Sequence, residues 1–110
     1  MRGNDMKKMF VPINEEGKDD CEYMRYDSPN VADYDMGEEE FSRLWDNGVF
    51  LLIDKECGTL IDEYEEDTIE NPVLKKALDI LDANDEGHNG QLAAAIRKAI
   101  DCDTFVDLVF

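Results

Sequence analysis

Three groups of residues in this chain have types and spacings that bear on chemistry. The first is "DANDEGHNGQLA", residues 82–93, which opens like an EF-hand calcium loop. Asp82, Asn84 and Glu86 fall on successive ligand positions and Gly87 on the position of the sharp turn. The pattern then breaks. Asn89 stands where an apolar residue should anchor the loop, and Ala93 stands where a bidentate Glu should close the coordination shell. An ordinary loop between two helices is expected, with no metal and no cofactor. The second group is the single histidine, His88, beside Asp85 and Glu86 in that loop. The only serines, Ser28 and Ser42, form no nucleophile motif with it, and "GHNG" lacks the spacing and the Lys of a phosphate loop. Paired carboxylates abound, but acid and base roles need opposed environments that a sequence does not display. No catalytic residue is assigned, and the expectation is a non-enzyme.

The third group is "LIDEYEEDTIE", residues 60–70, with six carboxylates and no Lys or Arg. It belongs to a wider imbalance. The chain of 110 residues has 28 acids against 11 bases, a net charge of -17, and residues 33–70 hold 14 of those acids with only Arg43 and Lys55. Phosphate backbones and anionic lipid surfaces are bound by Lys and Arg, so neither nucleic acid nor a membrane is an expected partner. A basic protein is. The residues expected to meet it are Asp62, Glu63, Tyr64, Glu66, Asp67 and Glu70, together with Asp33, Tyr34 and Asp35. Carboxylates supply the field and tyrosines the anchors.

These groups need elements to position them. With 43% hydrophobic residues, a chain of this length can bury a core as one domain, 1–110. The three cysteines, Cys21, Cys57 and Cys102, are odd in number and widely spaced, as fits reduced thiols in a cytoplasmic protein. The longest apolar run, "VFLLI" at 49–53, is far short of the roughly 20 residues of a membrane span, and the N-terminus lacks the apolar core of a signal peptide.

"MKKMFVPI" (6–13) and "CEYMRYD" (21–27) read as short strands, and "SPNVADYDMG" (28–37) as an irregular connection. From Glu38 the period is helical. Phe41, Leu44 and Trp45 share one face, with Trp45 expected in the core, and Asn47-Gly48 ends the helix. Phe50, Ile53, Cys57, Leu60, Ile61 and Tyr64 form a second stripe about four turns long, whose polar side would carry Asp54, Glu56, Asp62, Glu63, Glu66 and Asp67. Like charges crowded at the C-terminal end of such a helix oppose its dipole, each i,i+4 pair costing roughly 0.2–0.5 kcal/mol. A third helix starts at Asn71-Pro72, with Asn71 as N-cap, and a fourth is supplied by "GHNGQLAAAIRKAIDC". The final "DTFVDLVF" fits two patterns: its β-branched and aromatic content suits a strand, while Phe105, Val106, Leu108 and Val109 also fit a helical stripe, and a strand joining the N-terminal pair is the favoured reading. The expected fold is therefore α+β: a small antiparallel sheet of two N-terminal strands, with a possible C-terminal third, covered by three to four helices.

"FSRLWDNGVFLLIDKECGTLIDEYEED" (41–67), about a quarter of the chain, resembles immunity proteins of bacterial contact-dependent and other polymorphic toxin systems. It carries no signature by which that group's functional residues could be transferred to this chain. The resemblance implies tight binding to one cognate toxin, and the acidity points to a basic, nuclease-type toxin whose active cleft would be occluded. The alternative is a DNA mimic, such as a phage anti-restriction or anti-CRISPR inhibitor, whose carboxylates stand in for phosphates. A module whose acidity serves only solubility is a third reading.

Overall fold

Alternation of apolar and polar side chains sets the first strand. The computed structural model describes residues 7–61, 66–84 and 89–110, and β1 spans Lys7–Pro12 with Met9 and Val11 buried and Lys8 turned outward. β2 spans Val31–Met36, β3 Glu66–Ile69 and β4 Val106–Val109. The strands form one antiparallel sheet in the order β2-β1-β4-β3. The C-terminal segment is thus a strand, as expected, and it lies between β1 and β3. The sheet has four strands rather than two or three. Among the described residues there are five α-helices and one 3-10 turn: α1 Glu15–Glu22, α2 Glu38–Asp46, α3 Val49–Cys57, the turn Asn71–Val73, α4 Leu74–Asp82 and α5 Gln91–Cys102.

One face of the sheet is the core face. Met9, Val11, Ile69, Val106 and Leu108 point to it and meet Phe41, Leu44, Phe50, Ile53, Leu81, Leu92 and Ile96 in one contiguous buried cluster. Ala93, Ala95 and Ala99 keep α5 slim enough to lie close on the strands. The start of α5 is held from a distance: the Gln91 and Leu92 amides donate to the Glu40 carboxylate at 3.0 and 3.2 Å, satisfying two of the helix's open N–H groups with a negative charge at its positive end.

Four expectations are corrected. Residues 21–27 are not a strand. Cys21 and Glu22 end α1, which Asn14 caps by accepting from the Gly17 amide at 2.8 Å, with Glu15 and Glu16 in the first turn. Residues 28–37 are not wholly irregular, because Val31–Met36 is an edge strand paired residue for residue with β1. The long helix through Tyr64 stops at Cys57. Gly58 follows with φ 75°, a left-handed conformation that glycine adopts without steric cost and that ends helices. Glu66 and Asp67, expected on that helix's polar side, belong to β3 instead. Asn71 is not an N-cap. Its side-chain amide donates to Asp103 Oδ1 and to the Thr104 carbonyl, tying the turn before α4 to the end of α5.

Candidate functional site

The face of the sheet away from the core carries the acids. Antiparallel register lines up Asp33, Phe10, Asp107 and Thr68 in one row across the four strands, and Asp35, Lys8, Val109 and Glu66 in the next. α1 covers only part of this face. It can approach because Gly17 has no side chain: a Cβ there would stand 2.1 Å from the Asn30 carbonyl oxygen and 3.1 Å from Pro12 Cα. The loop after α1 is pinned by Asp20, which accepts from the Ser28 hydroxyl and from Arg25 Nε. These bonds hold the Asp20 carboxyl below its ordinary value. The loop delivers the Tyr26 ring flat onto Phe10, centroids 4.0 Å apart.

Between α1 and strands β4 and β3 a groove of about 650 Å³ is left open. Five carboxylates line it, those of Asp19, Glu22, Glu66, Glu70 and Asp107, against one base, Lys18, whose Nζ lies 3.1 Å from Glu15 Oε2; Asp67 borders it in the row of Leu108. Asp107 is held there by two neutral donors, Thr68 Oγ1 at 2.8 Å and the Tyr26 hydroxyl at 3.4 Å. Burial pushes its carboxyl above the usual range, outweighing those hydrogen bonds, and Glu70 and Glu66 push the same way. Burial and the Asp107 charge together push both the Cys21 thiol and the Tyr26 phenol up to about 12. Both therefore stay protonated at neutral pH. A thiol in that state is no nucleophile, whereas a partly desolvated carboxylate with acids beside it attracts cations.

The sequence-selected residues fare differently. Glu66 and Glu70 line the groove and are exposed, and Asp33 stands exposed on the same sheet face in the row of Asp107. Asp35 shares that face, paired with Lys8 Nζ at 2.7 Å. Asp67 borders the groove, but one carboxylate oxygen accepts from the Leu60 amide, which makes it a brace for residues 58–61. Tyr34 is turned to the opposite face, half-buried against the core, so it is not part of the acidic surface. Asp62, Glu63 and Tyr64 lie outside the described residues, as do Asp85, Glu86, Gly87 and His88 of the loop weighed for calcium. Asp82, the first position of that loop, ends α4 and accepts from Arg97 at 3.2 Å.

Tyr26, which with Tyr23 is an aromatic-anchor candidate of the sequence, does line the groove, whereas Thr68 and Asp107 were missed. Asp107 had a signal: in "FVDLVF" it alternates with Val106 and Leu108, which assigns it to the face opposite the core once the segment is a strand. Trp45 was expected to be buried and is half exposed, packed on Phe41 at 5.7 Å. Cys21 is buried, while Cys57 and Cys102 are half-buried, and all three thiols are free. Among the described residues no helix is long and apolar enough to cross a membrane. No family model matches the chain, and no curated protein or solved structure matches it.

Proposed function

We propose that this is a non-catalytic, cytoplasmic binding protein that receives a basic polypeptide at the acidic groove, acting as an immunity protein that blocks the cationic cleft of a nuclease-type toxin. The observation that carries the reading is the groove's charge: five carboxylates, those of Asp19, Glu22, Glu66, Glu70 and Asp107, stand against one lysine that already has an acidic neighbour. A cleft that grips phosphates must present Lys and Arg. A concave acidic surface is its electrostatic complement, and such complementarity speeds encounter by orders of magnitude at low salt. The Tyr26–Phe10 stack beside the groove adds a rigid aromatic surface that costs little entropy to bury.

The test is a tagged pull-down at low salt from cells that express the candidate toxin, read by mass spectrometry. It compares the wild type with the double variant Glu66→Lys/Glu70→Lys. Both positions are exposed, so the variant should keep its stability within about 0.5 kcal/mol. Asp67 is left alone because it braces Leu60. The expected result is one stoichiometric basic polypeptide that the wild type retains and the folded variant loses. Equal retention by the variant removes the groove as the binding surface. Recovery of several DNA-binding proteins, displaced by added DNA, would replace this reading with DNA mimicry.

A further inference from the structure

A second concave feature lies away from the open sheet face, where α2 turns into α3. A slot of about 190 Å³ is lined by Trp45, Gly48, Phe50, Leu51, Asp54 and Ile61. The turn at Gly48 is tight, its amide donating to the Trp45 carbonyl, so the last turn of α2 and the first turn of α3 form two walls. The apolar residues at and near it are unusually open to solvent: Trp45 is 48%, Leu51 75% and nearby Leu60 78% exposed. Tryptophan is among the residues that most often anchor interfaces, and here it stands half exposed at the slot.

Asp54 determines what fits. Its Oδ1 is taken, accepting from Thr59 Oγ1 at 2.6 Å and from the Ile61 amide at 3.0 Å, which fixes the carboxylate in the slot wall. Among the described residues its Oδ2 has no hydrogen-bond partner. The slot therefore combines an indole, aliphatic walls and one oriented, unshared carboxylate oxygen. An arginine side chain satisfies all three: its methylenes pack on Phe50, Leu51 and Ile61, its planar guanidinium stacks on Trp45, and an N–H donates to Asp54 Oδ2. Lysine offers a point charge without the stacking plane. A second copy of this chain is a poor occupant, because each copy carries a net charge of -17. The two helices carry two bases, Arg43 and Lys55, against six acids, Glu38, Glu39, Glu40, Asp46, Asp54 and Glu56.

We infer that this slot is an arginine-binding pocket that anchors the basic protein partner. The assignment rests on the reading that such a partner exists, and it extends the contact beyond the groove. Ile61 lines the slot and Glu66 lines the groove. Five residues of chain span at most about 18 Å, and because α2 and α3 pack on the core face while the groove is on the open face, a partner that fills both wraps the β3 edge of the sheet.

Trp45 is the only tryptophan, so its indole N–H resonance reports this slot and is silent to the groove. The probe is N-acetyl-arginine methylamide, titrated against the citrulline methylamide, which has nearly the same shape without the charge. The arginine compound should shift the Trp45 resonance saturably and bind at least about fivefold tighter than the citrulline compound. Asp54→Asn, which keeps an acceptor for Thr59 and Ile61, should bring the two compounds level. If that variant fails to fold, Leu51→Ala at an exposed position should still weaken the arginine response. An absent or unsaturable shift, an equal response to citrulline, or an unchanged response in the folded variants overturns the assignment. Failure here with retained capture of a basic partner would remove only the slot. A positive titration with no capture would remove the partner reading and leave an arginine site.

Discussion

The two faces of the sheet are made by alternate residues of the same strands, yet they follow opposite rules. On β4, Val106 and Leu108 vanish into the core while Asp107 between them faces the groove. On β1, Met9 and Val11 are fully buried while Lys8 and Phe10 face outward with the acids. The core face obeys hydrophobic burial. The other face concentrates like charge and leaves a groove open beside it, an arrangement that burial does not explain. A period of two lets one strand serve both ends, so neighbouring residues should answer mutation in different currencies: folding on one side, binding on the other.

The largest effect should come from the core face. Leu108→Ala removes a side chain that is 1% exposed and should cost about 2–5 kcal/mol, a large share of the roughly 5–15 kcal/mol typical of a domain. Denaturant unfolding measures it. A loss under about 1 kcal/mol would mean that the two faces differ less than the burial pattern indicates.

Gly17→Ala should have the next largest effect, because it acts on α1, which covers part of the open face. The new methyl would meet the Asn30 carbonyl oxygen at 2.1 Å, where backbone rather than a flexible side chain must yield, at a cost of about 1–3 kcal/mol. α1 should lift locally, which thiol labelling can follow at Cys21, on the helix's own buried face. Faster labelling of Cys21 than in the wild type, with the core still folded, is the expected result. An unchanged labelling rate would show that α1 tolerates the methyl by a rigid shift.

The same contrast explains what could be read in advance. Elements that bury a stripe on the core were legible: β1, α2, α5 and the C-terminal strand all carry apolar residues at the right period. Elements on or at the edge of the open face were not. α1, "EEGKDDCE", touches the sheet through a glycine and a cysteine and so has no apolar stripe, although Asn14 followed by two glutamates is an N-cap signal. β2 alternates Ala32, Tyr34 and Met36 with Asp33 and Asp35, a period of two hidden by the preceding Pro29 and the aspartates. β3 is four residues long, and the spacing of Leu60, Ile61 and Tyr64 continued the helical stripe past Gly58, the residue that stops it. The acidic surface itself was half legible. Glu66, Glu70 and Asp33 could be chosen by charge, but Asp107 is distant in sequence and only the strand order β2-β1-β4-β3 carries it to the groove.

The smallest expected effect is the one that most directly separates the two faces. Asp107 has its carboxyl raised above the ordinary 3.8 by burial, and the groups around it, Glu66, Glu70, Cys21, Tyr26 and Thr68, include no base. In the interval between 3.8 and its raised value, the native state holds a proton that the unfolded chain has released. Stability through this group therefore falls as pH rises across that interval, is flat above it, and is unaffected below 3.8, where both states are protonated. Asp107→Asn removes the titration and keeps an acceptor for Thr68. Its stability relative to the wild type should rise with pH through that interval and then level off. Asp20, whose carboxyl is lowered, contributes stability that is lost at low pH instead, and it cancels because wild type and variant share it. Denaturant midpoints for both proteins from below 3.8 to neutrality measure the difference. A gain at neutral pH would mean that the wild type keeps a charged Asp107 at a cost to its own folding, as expected where a cationic partner repays that cost on binding. A loss at neutral pH would instead make the Asp107 carboxylate a structural support, and the open face would then obey the same rule as the core.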